Sequence, residues 1–294
     1  MNIQLIDFWE YDYQIKNLCE IIEKNTNSKV TLSSHPNITS DLIIYSCFGT
    51  NHKNNKFEKT LKVYYTGENK RPHKSANLNL TFDYTLEHNN IRFPLWYLYI
   101  NWYSQTIPMP FNHINKILQK PSFEEMSKTK TKFCVFIAGH SRNCPRAHFT
   151  QMLHNKYKHV DCAGRCLNNI GRILGGKESK KIEYMRPYKF CIAFENSQYP
   201  GYCTEKILHA FLAGCIPIYW GDPKVGNDFN DKSFLHLQSH DGSEMLEMIE
   251  KIKEIDQNDD LWRKMYEEVS FKKTHEEMLE KLKELGMELQ KLIG

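Results

Sequence analysis

The chain has 294 residues, of which 40% are hydrophobic and 25% charged, and its formal net charge is only +4. That apolar content is enough for a sizeable core, and the length predicts two domains. No Lys/Arg-rich block or recognised nucleic-acid motif is present, which argues against a nucleic-acid-binding protein.

The charge is unevenly distributed. From Glu244 onward there are nine Lys/Arg against fourteen Asp/Glu, so this part carries −5 and the preceding part +9. A basic body favours an anionic ligand such as a nucleotide diphosphate.

The first half alternates short apolar runs with polar segments. Residues 3–8, 30–33, 42–47 and 61–65 read as strands, and 13–24 reads as a helix between the first two. This alternation is typical of a doubly wound α/β sheet. The aromatic stretch 93–103 is more typical of a core than of a sugar platform.

A polar stretch at 119–132 predicts an interdomain linker, after which the α/β alternation restarts. The predicted strands are 133–138, 190–194, 216–220 and 234–238, and the predicted helices are 145–154 and 204–213. The sequence therefore predicts two Rossmann-like domains facing across a cleft, residues 1–125 and residues 126–270.

The C-terminal part, residues 243–292, has a helical pattern. Apolar residues recur at helical spacing, with Glu and Lys on the other faces: Met278, Leu282, Leu285, Leu289 and Leu292. We expect residues 271–294 to form a helix that packs back on the body.

The nine cysteines do not suggest a disulfide framework, because the count is odd. Cys47, Cys134 and Cys191 lie in apolar strand-like runs, which predicts buried free thiols. Cys162 and Cys166 could recruit His159 to a metal ion, but the paired spacing of a structural zinc site is missing, so no metal site is predicted.

No secretory signal is recognised, since Asp7 stands where an apolar region should continue, and no apolar run approaches membrane-spanning length. The expectation is a cytoplasmic protein without a membrane span.

The most informative segment is 190–221, which reads as strand, polar loop, helix and strand. Thr204 can cap the helix and Gly214 can end it. Lys206 is unusual, because a cation in the first turn opposes the helix dipole. A phosphate held over the helix start by Lys206 and backbone amides would explain it. A solvated surface lysine is the alternative.

This segment resembles the donor-binding motif of the fucosyltransferases of glycosyltransferase family 10, which use GDP-fucose. The matching residues are Phe-Glu-Asn-Ser at 194–197, Tyr-Cys-Thr-Glu-Lys at 202–206 and Ala-Gly-Cys-Ile-Pro-Ile-Tyr-Trp-Gly at 213–221. The resemblance runs from about residue 62 to 237. It implies the GT-B fold, with residues 1–125 as the acceptor-side Rossmann-like domain and residues 126–270 as the GDP-sugar-binding one. Some bacterial members carry a basic amphipathic membrane tail, but the tail here is acidic, which argues against membrane attachment through it.

The strand at 61–65 leads into Gly67 and Glu68, at the edge of the sheet where open α/β sheets place their ligands. A carboxylate there could act as a base, although an ordinary turn residue is the alternative. Bacterial members of the family have the same Tyr-Thr-Gly-Glu-Asn run, and the resemblance implies that Glu68 is the general base.

Arg146 places a second cation beside a helix start, after Pro145, in the segment 139–146. The resemblance implies that it contacts the donor pyrophosphate.

These residues predict a mechanism of sugar transfer. Glu68 would deprotonate the acceptor hydroxyl, and Arg146 and Lys206, with the helix start at Thr204, would hold the diphosphate. Glu205 would bond sugar or ribose hydroxyls, while Asn196 and Tyr202 complete the donor pocket. With one base and no evident nucleophile, the displacement should invert the anomeric centre. The chain has no Asp-x-Asp motif, so no metal or other cofactor is expected to be required, and modest stimulation by Mn²⁺ is compatible with this expectation.

The predicted activity is transfer of L-fucose from GDP-fucose to an oligosaccharide or glycoconjugate acceptor, α-1,3 to GlcNAc or Glc in an N-acetyllactosamine-like glycan. The alternatives are a GT-B enzyme that uses another GDP-sugar, a glycan-binding relative without catalysis, and a glycosidase that uses Glu68 and Glu205 as a carboxylate pair.

Overall fold

The computed structural model describes residues 2–9, 13–26, 28–31, 40–103, 114–140, 145–174 and 178–293. The chain divides into two compact units, Met1–Ile114 with Lys273–Gly294, and Asn115–Lys272. Each unit contains a parallel sheet with helices. The predicted fold class, α/β with two Rossmann-like domains as in GT-B enzymes, is confirmed for each unit taken by itself.

The first unit is built on a six-stranded sheet with the order β2-β1-β3-β4-β5-β6, in which every neighbouring pair is parallel. Its strands are β1 (Asn2–Ile6), β2 (Lys29–Thr31), β3 (Leu42–Tyr45), β4 (Leu61–Tyr65), β5 (Leu78–Thr81) and β6 (Asn90–Arg92). All residues of β3 and β5 are buried. Burial of both faces is the usual state of a parallel sheet and explains the continuous apolar run of β3.

Two helices of this unit contact each other, α1 (Tyr13–Thr26) and α9 (His275–Ile293). The apolar stripe of α9 is buried, with at most 1% exposure at Met278, Leu282, Leu285 and Leu289. The end of the chain thus packs on the first unit. The aromatic stretch forms a short 3₁₀ helix, Leu95–Tyr99, and Trp96 is buried in the core as predicted.

The second unit has a five-stranded parallel sheet with the order β11-β10-β9-β7-β8. Its strands are β7 (Lys132–Phe136), β8 (Val160–Cys162), β9 (Tyr188–Phe194), β10 (Ile216–Trp220) and β11 (Leu235–His236). The remaining helices are α2 (Ile114–Leu118), α3 (Phe123–Ser127), α4 (Arg146–Lys156), α5 (Glu178–Met185), α6 (Lys206–Leu212), α7 (Gly242–Gln257) and α8 (Asp259–Glu267).

The prediction of a linker at 119–132 is wrong. Ser122 and Glu125 form a capping box that starts α3, and this reciprocal pair satisfies two backbone donors. Phe123 packs edge-on against Trp262, with ring centroids 4.8 Å apart, and Met126 is buried in the core of the second unit. Because this segment belongs to that core, the boundary between the units lies at Ile114 rather than at 125/126.

The strand order of the second unit determines where a ligand can bind. The chain leaves β7 toward β8 on one side, and leaves β9 toward β10 and β11 on the other. The connections therefore diverge between the carboxyl ends of β7 and β9. Such a topological switch point leaves a crevice at the sheet edge, which is the usual ligand site of open α/β sheets.

Candidate functional site

A pocket of about 170 Å³ opens at this switch point. Its apolar walls come from residues 136–138 and 191–194, the carboxyl ends of β7 and β9. Its polar lining consists of Arg146, Lys181, Glu205, Lys206 and His209. An apolar pocket with a few convergent polar groups is the usual form of a small-molecule site.

Arg146 is the first residue of α4 and is only 4% exposed. Its Nε donates to the Glu195 carbonyl oxygen at 3.0 Å, and its Nη1 donates to the His140 carbonyl oxygen at 3.1 Å. Within the described part of the chain, its buried Nη2 has no hydrogen-bond partner. A buried donor on a charged group is costly when unpaired, so an anion in the pocket would satisfy both its hydrogen bond and its charge.

Lys206 belongs to a hydrogen-bonded network around a buried carboxylate. Its Nζ donates to Glu195 Oε2 at 2.9 Å and to Thr204 Oγ1 at 2.7 Å. Glu195 is 0% exposed and also accepts the Thr204 backbone N–H at 2.7 Å. The alternative of a freely solvated surface lysine is therefore wrong, because the ammonium is held against a buried acid beside the pocket.

The charges in the pocket shift each other's titration. Burial disfavours the charged form of Lys206, but the carboxylates of Glu195 and Glu205 outweigh it and raise the pKa of the ammonium. Burial also opposes ionisation of Glu205, yet the nearby charge of Lys206 lowers its pKa to about 2. Both groups are thus charged at neutral pH.

His209 lies one turn beyond Glu205 and behaves differently. Burial lowers the pKa of His209 to about 4, against the opposing influence of the Glu205 charge. It is therefore neutral at pH 7 and adds no positive charge to the pocket lining.

The helix start differs from the prediction. Thr204 does not cap α6: the N-cap position is Glu205, whose side chain makes no capping bond, and the Thr204 hydroxyl donates to the Glu195 carboxylate instead. The Thr204 hydroxyl oxygen accepts from Lys206 Nζ rather than from a helix amide. The end of the helix agrees with the sequence, since Gly214 follows it with a φ of 70°.

Asn196 and Tyr202 are brought together by a hydrogen bond, in which the Tyr202 hydroxyl donates to Asn196 Oδ1 at 2.8 Å. Tyr202 is only 2% exposed. Asn196 directly follows Glu195, so this bond ties the loop between β9 and α6 to the end of β9. The segment 141–144, between the predicted strand and Arg146, lies outside the described residues.

Glu68 lies in the first unit, three residues after the end of β4. Its backbone N–H donates to Thr66 Oγ1 at 3.1 Å, and its carbonyl accepts the Lys70 N–H at 2.6 Å. The residue is exposed. A fixed backbone with an accessible carboxylate suits a proton acceptor, which must reach a substrate hydroxyl.

The other predictions from the sequence concern cysteines, metals and membranes. Cys134 and Cys191 are buried and free, while Cys47 is free and half-buried. The described residues contain no group of three or more His, Cys, Asp or Glu side chains arranged to hold a metal ion. Within the same ranges, every helix is too short or too polar to cross a bilayer.

Glu195 is the residue that sequence reasoning missed. It stands at the end of an apolar strand, directly after five apolar residues, and an acid at such a position was the signal that could have identified it.

Two family descriptions match the chain. "Glycosyltransferase family 10 (fucosyltransferase) C-term" matches residues 126–290, and "Alpha-(1,3)-fucosyltransferase FucT N-terminal domain" matches residues 3–99.

Three individual proteins illustrate the similarity. The alpha-(1,3)-fucosyltransferase FucT of Helicobacter pylori is 32% identical over 251 residues, which are 76% of this chain and 50% of that protein. The 4-galactosyl-N-acetylglucosaminide 3-alpha-L-fucosyltransferase 9 of Cricetulus griseus is 34% identical over 108 residues, covering 33% of this chain and 30% of that protein. A crystal structure of an alpha1,3-fucosyltransferase with GDP-fucose superimposes with a TM-score of 0.68 and 27% identity, over 97% of this chain and 89% of that one. The chain thus spans about half the length of the Helicobacter pylori protein and 30% of the length of the Cricetulus griseus protein.

Proposed function

The chain belongs to glycosyltransferase family 10, and from this premise we propose that it transfers L-fucose from GDP-fucose to a hydroxyl group of a glycan. The donor would occupy the pocket at the carboxyl ends of β7 and β9, with its diphosphate against Arg146 and Lys206.

The observation that carries this proposal is the buried Nη2 of Arg146, which has no hydrogen-bond partner among the described residues. Two of the guanidinium nitrogens are already bonded to carbonyl oxygens, which hold the group in place but do not neutralise it. The remaining buried donor needs a partner, and a phosphate oxygen supplies both a hydrogen bond and a negative charge. Lys206 adds a second cation to the same pocket.

The two cations would also promote departure of GDP. As the bond between fucose and the phosphate breaks, negative charge grows on the phosphate oxygen, and Arg146 and Lys206 would stabilise that charge in place of a metal ion. Glu205, which is ionised and lines the pocket, would accept hydrogen bonds from ribose or fucose hydroxyls. Thr204, Asn196 and Tyr202 would hold the loop that forms the donor site.

We assign the general-base role to Glu68, whose carboxylate would take the proton of the acceptor hydroxyl as that oxygen attacks the anomeric carbon. A single displacement with one base inverts the configuration at that carbon. The acceptor we propose is an N-acetyllactosamine-like glycan, fucosylated α-1,3 on GlcNAc or Glc. The names of the Helicobacter pylori and Cricetulus griseus relatives support the α-1,3 linkage, and the name of the Cricetulus griseus enzyme supports N-acetylglucosamine as the acceptor sugar.

GDP release tests the proposal. GDP should form when the protein, GDP-fucose and N-acetyllactosamine are all present, and much more slowly when the acceptor is left out. GDP-mannose should replace GDP-fucose poorly. Faster release from another GDP-sugar would favour a different transferase of the same fold, and binding of glycan without any GDP release would favour a non-catalytic relative.

A further inference from the structure

Glu195 occupies the position directly after β9 and is fully buried, yet it carries a carboxylate. Oε1 accepts the Thr204 N–H at 2.7 Å and lies 2.9 Å from the Thr204 hydroxyl. Oε2 lies 2.7 Å from the same hydroxyl and accepts from Lys206 Nζ at 2.9 Å. With both oxygens engaged and no exposed surface, this carboxylate is built to hold protein groups rather than to contact a substrate.

The backbone of the same residue reaches the other cation. The Glu195 carbonyl accepts the Nε–H of Arg146 at 3.0 Å, and its N–H donates to the Trp220 carbonyl at 2.8 Å. One residue therefore contacts both Arg146 and Lys206, through its main chain and its side chain respectively, while the bond to β10 fixes its own position.

The space for the Glu195 side chain depends on Gly221. This glycine has a φ of 154°, and a Cβ built on it would lie 2.4 Å from Glu195 Cγ and 2.7 Å from Glu195 Cβ. Both distances are well below van der Waals contact, so any larger residue at 221 would displace the glutamate. Gly221, the last residue of the 213–221 motif, thus leaves the space that the Glu195 side chain occupies after β9.

We infer that Glu195 is a positioning residue of the donor site, which holds Arg146 and Lys206 in their orientations toward the pocket. This inference rests on the proposed function, since it concerns binding of a nucleoside diphosphate. It adds a residue that does not itself touch the ligand.

The charge of Lys206 is set by several neighbours. The groups that face it or line the same pocket are Glu195, Glu205, Arg146, Lys181 and His209. Burial and Arg146 disfavour the charged ammonium, and Glu195 and Glu205 favour it. Removal of the Glu195 charge should therefore lower the pKa of Lys206, so that the ammonium loses its proton at a less alkaline pH.

The test is Glu195→Gln, which keeps the size of the side chain and removes its charge. GDP should bind about tenfold more weakly to this variant, as expected for a disturbed charged contact, and guanosine should bind as it does to the wild type. As the pH rises into the alkaline range, GDP affinity should begin to fall at a lower pH in the variant than in the wild type, because the Lys206 ammonium loses its proton sooner. Glu183→Gln is the control, because Glu183 is an acid of the same unit that pairs with Arg186 in an exposed ion pair.

Two further variants extend the test, and Gly221→Ala replaces Glu195→Gln if that variant folds poorly. Gly221→Ala should weaken GDP binding in the same way, by displacing Glu195. The single variant Lys206→Ala should weaken GDP binding. Adding Glu195→Gln to Lys206→Ala should reduce GDP affinity much less than Glu195→Gln does in the wild type, because the glutamate acts in part through the lysine.

The failures of the two proposals are distinguishable. Wild-type GDP affinity and pH dependence in Glu195→Gln, together with weak binding in Lys206→Ala, would overturn the inference and leave the donor site in place. Equal losses for GDP and guanosine with an unchanged pH profile would also overturn it, since that pattern indicates a general structural role. Full GDP affinity in both Lys206→Ala and Arg146→Ala would refute the anion site itself.

Discussion

Replacement of Arg146 by lysine separates the geometry of the guanidinium group from its charge. In the wild type, Nε and Nη1 are bonded to the carbonyls of Glu195 and His140, which leaves Nη2 for a ligand. A lysine has one compact ammonium group and cannot bond two carbonyls and also present a fixed donor to a phosphate.

The free energy of GDP binding should become less favourable in Arg146→Lys by the value of one hydrogen bond to a charged group, about 1.5 to 3 kcal/mol. This corresponds to roughly a 10- to 150-fold weaker affinity. Guanosine has no phosphate and should lose little. Isothermal titration with GDP and guanosine measures both, and Arg186→Lys is the matched control because Arg186 is half exposed in an ion pair with Glu183.

The reasoning would be refuted if Arg146→Lys bound GDP as tightly as the wild type, because the unpaired nitrogen would then have no part in binding. Equal losses for GDP and guanosine would also refute it, since the effect would not depend on phosphate. A thermal unfolding measurement on each variant separates loss of a contact from loss of the fold.

Three other predictions concern the base, the absence of a metal requirement and acid stability. Glu68→Gln should lower turnover by about a hundredfold or more with little change in GDP affinity, because the amide cannot accept the proton; near-normal turnover would remove Glu68 from the mechanism. Activity should persist in excess EDTA, since side-chain cations are proposed to stabilise the leaving phosphate, and complete loss restored by a divalent ion would contradict this. The neutral, buried His209, whose pKa is lowered to about 4, should destabilise the fold as the pH falls from about 6.5 toward 4, because the unfolded state binds the proton first. In denaturant titrations, His209→Gln should reduce this acid-dependent loss of unfolding free energy by up to roughly 3 kcal/mol. An unchanged pH dependence of the unfolding free energy would count against the burial argument.

Much of the fold could be predicted because strands buried on both faces are continuous apolar runs. The run Leu42–Tyr45 and the run Ile216–Trp220 are examples, and both are strands. The short strands β5, β6 and β8 were missed because they are interrupted by polar residues. Asn79 and Asn90, for example, are buried, and tertiary hydrogen bonds to loop carbonyls satisfy their side chains.

The error at 119–132 has a different origin. Its polar composition suggested a linker, but Ser122 and Glu125 are the Ser-x-x-Glu signature of a helix start, and Phe123 and Met126 are the apolar residues that anchor it. Local composition was misleading where a capping motif was decisive.

At the candidate site, Arg146, Glu205 and Lys206, which the sequence analysis assigned to one donor site, line the same pocket. It could not predict that Thr204 bonds to Glu195 rather than to the helix amides, because that choice depends on a side chain nine residues away in the chain. Pairing across a loop is decided by tertiary packing, and residue types alone do not reveal it.

Mass spectrometry of the product tests the central claim most directly. When the protein is incubated with GDP-fucose and N-acetyllactosamine, the account predicts a trisaccharide heavier by one deoxyhexose residue, with strongly reduced yield in Glu68→Gln and Arg146→Lys. Release of free fucose without a trisaccharide, or no consumption of GDP-fucose by wild-type protein that binds GDP, would contradict the assignment of this chain as a fucosyltransferase acting on such glycans.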